Sequence, residues 1–286
     1  MEPFETFRPL LFSIAYRMVG SVTEAEDIVQ DAYLRYCQAP AESIVSHKAF
    51  LSTIVTRLCL NHLQAARAQR EVYVGPWLPE PLMTADQTLL SPTEQIELHE
   101  SISMAFLVLL ERLTPVERAV FLLREVFDYS YAEVASMVDK EEATCRQILR
   151  RAKQFLVKHR PRFRPSPEQH QQILHQFMQA IEEGNLAGLM QLLSQDVTMW
   201  ADGGGRVRGA ATRPLHGPVA VGRFTLASLR YVPGTLLSEI TEVNGEPTIV
   251  LRVDGRPFVI VNVTIEQSHI RVIRVIGNPD KLNHIW

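Results

Sequence analysis

Apolar positions recur every three or four residues through the first part of the chain. After SVTE (Ser21–Glu24), a capping-box pattern, Ala25, Ile28, Val29, Ala32 and Tyr33 fall on one helical face. A second stripe of Phe50, Leu51, Ile54, Leu58 and Leu63 predicts a helix over about 47–67, and residues 1–68 as a whole read as helical. The pattern stops over residues 71–100, where Pro76, Pro79, Pro81 and Pro92 interrupt regular structure. SPTE at 91–94 marks a helix start inside that stretch. Helical spacing resumes over 101–160, with capping boxes at TPVE (114) and SYAE (130). Tyr131–Val138 reads as a short helix and Asp139–Lys140 as a tight turn. The next helix places Cys145, Ile148, Leu149, Ala152 and Leu156 on one face. A short helix, a tight turn and an amphipathic second helix form a helix-turn-helix pattern.

Beyond the break HRPRFRPSPE (159–168) the periodicity changes. Residues 167–194 predict two helices and 217–229 a third. Alternating segments near 235–243, 248–253, 256–266 and 269–276 predict strands. The expected architecture is multi-domain: two all-α segments at 1–70 and 101–160, a linker at 71–100, and an α+β domain at 161–286.

Composition narrows this picture. The 286-residue chain is 46% apolar, as ordinary globular proteins are, and its formal net charge is −3. A nonspecific polyanion binder is excluded, and any nucleic-acid surface has to be local. Cys37, Cys59 and Cys145 are scattered, without zinc spacing or a disulfide framework, and are expected to be reduced and buried; no metal or cofactor is expected. The first residues lack a basic segment followed by a long apolar core, and no apolar run approaches the ~20 residues a membrane span needs, so a cytoplasmic protein is expected.

Charge is strongly segregated. Residues 71–100 hold six acidic side chains and no Lys or Arg, whereas the stretch from Ala143 to Arg164 holds eight Lys or Arg and no acid. Such a basic field attracts phosphates without sequence choice. Sequence choice needs donors and acceptors at base edges. Arg146, Gln147 and Arg150, with Thr144 beside them, supply these on the exposed half of the second helix of the motif. Arg151 and Lys153 lie further along and suit backbone contacts. In the first helical segment, Glu26, Asp27, Gln30 and Asp31 form a ridge opposite an apolar face. It reads either as a solvated surface or as a site for a basic protein partner. Arg57 and Asn61 lie one turn apart, with His62 adjacent and Arg67 beyond, a set that suits single-stranded or melted DNA.

Together these segments resemble the extracytoplasmic-function (ECF) sigma factors of bacterial RNA polymerase. GSVTEAEDIVQDAYLRY and AFLSTIVTRLCLNHL resemble region 2. LTPVERAVFLLREVFDYSYAEVASMVDKEEATCRQILRRAKQFL resembles region 4, so the resemblance covers roughly residues 4–160. It implies a promoter-specificity subunit whose partners are core RNA polymerase, through its beta and beta-prime subunits, and promoter DNA. Glu26, Asp27, Gln30 and Asp31 would bind the core. Lys48, Arg57, Asn61, His62 and Arg67 would read and open the −10 element, together with the loop from Cys37 to Lys48. Thr144, Arg146, Gln147, Arg150, Arg151 and Lys153 would read the −35 element. The acidic linker would thread toward the RNA exit path. A ligand-sensing helix-turn-helix regulator that never joins core polymerase stays open as the alternative.

The C-terminal domain resembles the SnoaL-like (cystatin-like, NTF2-like) cone. The sigma-factor group with this fusion carries three signatures, all present here: WLPEP (Trp77, Leu78, Pro79, Glu80, Pro81), DGGG (Asp202, Gly203, Gly204, Gly205) and NPDKL (Asn278, Pro279, Asp280, Lys281, Leu282). Arg206 follows DGGG where Lys is frequent, which exchanges a point charge for a planar fork. The resemblance implies that this extension acts in cis on sigma activity. The residues fit that role. Three consecutive glycines permit a sharp turn with exposed amides. Trp77 and Leu78 are an apolar pair in a polar linker that needs cover, and NPDKL is placed to give part of it. Asp202, His216 and Asp254 are the acid–base candidates, but none has a motif spacing, so no enzymatic activity is expected. A cone of this kind is expected to leave an apolar cavity able to take a small ligand.

Overall fold

The computed structural model describes residues 2–40, 42, 44–70, 73–84, 102–159 and 165–285. The start expected at SPTE (91–94) and most of the acidic linker lie outside these residues. The chain divides into two compact units, one of residues 1–71 and 106–160, the other of residues 72–105 and 161–286.

In the first unit α1 (Glu2–Val19), α2 (Val22–Gln38) and α3 (His47–Arg70) pack on one another. Ser21 caps α2 by accepting from the Glu24 amide at 3.1 Å. The reciprocal half of the expected capping box is not made there, because the Glu24 carboxylate lies instead against His62. Ala25, Ile28, Val29 and Ala32 are buried as the spacing requires. Residues 39, 40 and 44–46 break the helical run expected over 1–68, and α3 extends three residues past the expected end. Next come α4 (Met104–Leu110), α5 (Pro115–Glu125), α6 (Tyr131–Val138) and α7 (Glu142–His159). Thr114 with Glu117 and Ser130 with Glu133 complete both expected capping boxes. The turn of the helix-turn-helix passes through Asp139 at φ 54°, and the Lys140 amide closes it on the Ala135 carbonyl at 3.0 Å. α3 also packs on α5 and α6. Cys59 and Cys145 are buried; Cys37, near the end of α2, is exposed, which corrects the expectation for that cysteine. Its position falls outside the buried Ala25/Ile28/Val29/Ala32 stripe.

The second unit is the expected α+β cone. α8 (Pro167–Glu182) and α9 (Leu186–Leu192) precede a six-stranded sheet of β1 (Leu193–Asp202), β2 (Leu215–His216), β3 (Leu236–Val243), β4 (Glu246–Val253), β5 (Arg256–Glu266) and β6 (His269–Ile276), with α10 (Pro218–Ser228) between β2 and β3. The strand order is β2-β1-β6-β5-β4-β3, antiparallel except for the parallel β1–β6 pair. Phe177 and Leu174 of α8 and Leu189 of α9 bury against Val197, Met199, Ile249, Val263 and Ile273 of the sheet. β1 and β2 were not anticipated from the sequence.

Among the described residues no helix is long and apolar enough to cross a membrane. None of their His, Cys, Asp and Glu side chains cluster in threes as a metal site would require.

Candidate functional site

α7 presents the basic stripe where the sequence places it. Arg146, Gln147, Arg150, Arg151 and Lys153 are exposed and Thr144 is half-buried, while Cys145, Ile148, Leu149, Ala152 and Leu156 anchor the opposite side. Two of these cations are already held. Arg146 donates to Glu142 at 3.1 Å and stacks over the Tyr131 ring at 4.0 Å. Lys153 pairs with Glu125 at 2.5 Å.

On α2, Asp27, Gln30 and Asp31 are exposed, and the half-buried Glu26 is paired with Arg8 at 2.5 Å. Leu34, 53% exposed, lies one turn beyond Gln30 and Asp31. Sequence reading missed it. It adds one apolar side chain to the exposed acidic face of α2.

Two of the −10 candidates on α3, Lys48 and Arg57, face the segment around the helix-turn-helix. The Arg57 guanidinium donates to the Ser136 carbonyl at 2.9 Å and to the Met137 carbonyl at 3.4 Å, at the C-terminal end of α6. The buried Ser52 and Tyr129 hydroxyls are bonded at 2.6 Å, and the Lys48 ammonium lies 5.1 Å from the Tyr129 ring centroid. His62 is drawn to Glu24, Asn61 is exposed, and the Arg67 side chain lies outside the described residues. The structure therefore does not hold these candidates together as an open DNA-reading surface.

The three signature motifs meet in the second unit as a clasp on the linker. Asp202, 1% exposed at the end of β1, is its centre. One carboxylate oxygen accepts from the Leu78 amide and from the Lys281 ammonium, both at 2.8 Å. The other accepts from the Gly204 amide at 3.1 Å and from the Tyr73 hydroxyl. Lys281, 5% exposed, also donates to the Leu78 carbonyl and lies 4.1 Å from the Trp77 ring centroid. Asn278 donates to the Tyr73 hydroxyl at 2.9 Å. Burial, reinforced by the bond to the Asp202 carboxylate, pushes the Tyr73 hydroxyl far above the ordinary phenol range, so it remains a donor. Gly204 sits at φ 57°, and a Cβ there would lie 2.5 Å from the Asn278 amide nitrogen, so the turn and the close approach both require glycine. Leu78, Pro79, Glu80 and Pro81 are buried, which supplies the cover the apolar linker residues call for. Leu282 is buried too, Pro279 opens a 3₁₀ turn, and the Arg206–Asp280 pair at 2.9 Å is exposed on the rim. Gly203 and Gly205 complete the turn.

The grip continues past the motifs. His284 donates to the Pro81 carbonyl at 2.7 Å. Asn244 accepts from the Leu82 amide at 3.0 Å, returns its own amide to the Leu82 carbonyl at 2.8 Å, and donates to the Ile102 carbonyl at 2.9 Å. Met83 forms an isolated antiparallel bridge to Val243, so the linker lies along the β3 edge at that point. Tyr73, Asn244 and His284 were not named from the sequence.

The acid–base candidates do not converge. The Asp202 carboxylate is spent on the clasp, His216 is exposed on β2 beside Thr198, and Asp254 occupies the β4–β5 turn at φ 50°.

Residues 4–69 match the Sigma-70 region 2 family and residues 103–156 match Sigma-70, region 4. The chain is 36% identical over 292 aligned positions to the ECF RNA polymerase sigma factor SigJ of Mycobacterium tuberculosis, covering 98% of this chain and 92% of that protein. It is 29% identical to the probable ECF RNA polymerase sigma factor SigI of the same species, covering 96% and 92%. The crystal structure of M. tuberculosis SigJ superposes at a TM-score of 0.76 and 34% identity, covering 98% of this chain and 97% of that one.

Proposed function

The chain belongs to the ECF RNA polymerase sigma factors, and from that premise we propose that it directs promoter-specific initiation by core RNA polymerase under the control of its own C-terminal domain. The observation that carries the regulatory half is the clasp. The segment that joins region 2 to region 4 is bound at Tyr73, Leu78, Pro81 and Leu82 by Asp202, Lys281, His284 and Asn244.

In this reading the exposed Asp27, Gln30 and Asp31, with Leu34, meet the core enzyme. Arg146, Gln147 and Arg150 of α7 read the −35 element in the major groove, with Thr144 beside them and Arg151 and Lys153 toward the phosphates. Lys48, Arg57, Asn61, His62 and Arg67 serve the −10 element. Arg57 reaches DNA only after it leaves the Ser136 and Met137 carbonyls, so engagement of the polymerase has to part α3 from α6. The linker faces the same choice, since residues 73–84 cannot lie on the C-terminal domain and thread an RNA exit path at once. Core polymerase and the clasp thus compete for one segment. A ligand that binds only the open state shifts the balance by its differential affinity.

In vitro transcription with purified core enzyme tests the reading. Promoter-dependent transcripts are expected from the full chain, with more transcript when Lys281→Met weakens the clasp. Identical output from clasp variants and parent at every promoter would remove the regulatory half. No transcript from either would remove the whole.

A further inference from the structure

The cone holds a cavity of about 430 Å³, within the range of small-molecule sites. Its deep wall is hydrocarbon: Phe177, Met199, Ile249, Val261 and Ile273 are buried there, with Phe224 beside them. Four of its polar lining residues, Glu182, Arg208, Tyr231 and Ser238, are exposed, which places them at the opening. Most polar groups of the lining are already occupied. Thr225 donates to the Val221 carbonyl and Ser228 to the Thr225 carbonyl, both within α10 and its end. Glu182 takes the Ser238 hydroxyl, and the Tyr231 hydroxyl accepts from Arg230. Asp202 lines the wall with its carboxylate committed to the clasp. Arg208 is left, among the described residues, as a charged donor at the opening with no hydrogen-bond or ion-pair partner. Gly209 has φ 86°, and a Cβ there would lie 2.4 Å from the Tyr231 ring, so only glycine lets the 203–210 loop close against that ring.

We propose that this cavity binds a small molecule with an apolar, ring-sized body and one oxygen acceptor group, the body against Met199, Ile249 and Ile273 and the acceptor at Arg208. An unsatisfied charged group cannot be buried in the hydrocarbon depth without penalty, so the acceptor stays at the opening. A guanidinium there favours an anionic acceptor over a neutral one. The proposal stands on the cavity alone and does not depend on the transcriptional role.

Two fluorescent probes share one anilinonaphthalene body and differ in the acceptor: N-phenyl-1-naphthylamine is uncharged, and 8-anilinonaphthalene-1-sulfonate carries a sulfonate. Titrated into the full-length folded protein, both are expected to show saturable one-to-one enhancement. Arg208→Ala is expected to weaken the sulfonate probe about tenfold and leave the neutral one within twofold. Leu251→Trp and Val259→Phe, which fill the cavity from β4 and β5, are expected to abolish both; Val259→Phe adds less volume and keeps the test available where Leu251→Trp fails to fold. Hydrogen exchange of the parent protein, saturated with the neutral probe, is expected to slow at the Leu251 and Val259 amides. Non-saturable enhancement, undiminished binding in a folded filled variant, or slowing confined to another surface would overturn the site. Equal weakening of both probes in Arg208→Ala would overturn the assignment of the acceptor.

Discussion

Lys281→Met removes the ammonium at the centre of the clasp and keeps most of the side-chain stem. Both Lys281 and Asp202 are almost wholly buried, at 5% and 1% exposure. Removing one partner of such a pair strands the other charge, a loss of about 3–5 kcal/mol. Asp202 keeps the Leu78 and Gly204 amides and the Tyr73 hydroxyl as donors, so the low end, about 3 kcal/mol, is expected. The Leu78 amide reports the event directly, because it donates to the same carboxylate oxygen that Lys281 contacts. Hydrogen exchange in the full chain is expected to show protection of that amide falling by about two orders of magnitude. Arg206→Ala breaks an ion pair in which both side chains are more than half exposed, 66% and 57%, and is expected to change the same protection by less than about threefold. Adding Asp202→Asn to Lys281→Met removes the stranded charge and is expected to restore part of the protection. Leu78 exchange that is unchanged in Lys281→Met, or altered equally by Arg206→Ala, would refute the buried pair as the closure of the clasp.

Three further outcomes follow. Arg57→Ala deletes the donors to the Ser136 and Met137 carbonyls and is expected to lower the stability of the helical unit by about 1 kcal/mol in denaturant unfolding, while promoter opening by the holoenzyme, read by permanganate reactivity, falls. His170 is buried and its imidazolium is disfavoured, with the pKa pushed down to about 4. The unfolded chain takes up that proton as pH falls through about 6.5 and the folded chain only near 4, so stability is complete above 6.5 and lost between the two; about 2.5 kcal/mol should be gone at pH 4.5, and His170→Phe should flatten that slope. Because Met199, Ala201 and Asp202 of β1 line the cavity and Asp202 is the centre of the clasp, Lys281→Met is expected to shift the dissociation constant of N-phenyl-1-naphthylamine about fivefold; an unchanged constant would decouple the two sites.

What the sequence displays is local chemistry. The capping boxes at Thr114 and Ser130, the turn at Asp139 and the two faces of α7 are all written within a few residues, and each appears as read. Strands β3 to β6 were legible for the same reason, through alternation between turn signals. β1 was not, because Ser194, Gln195 and Asp196 interrupt its apolar pattern and its pairing with β6 shifts register between Leu193 and Thr198. The three motifs were visible as motifs, but the order of contacts was not. Tyr73 and His284 act across more than a hundred residues, and no local spacing announces them. Asn244 gave a partial signal, since Asn-Gly marks a hairpin turn, yet its capture of the linker depends on tertiary placement. Leu34 could have been found by noticing a large apolar residue off the buried face of α2. The engagement of Arg57 by the end of α6 was invisible in sequence, because helical spacing assigns a face and not the neighbour that covers it.

Run-off transcription from a promoter library, with purified core enzyme and either the full chain or its Lys281→Met variant, tests the central claim most directly. The account expects a restricted set of start sites, shared by both proteins, with greater yield from the variant. Transcripts that start without promoter preference, or core enzyme that stays silent with both proteins, would contradict it.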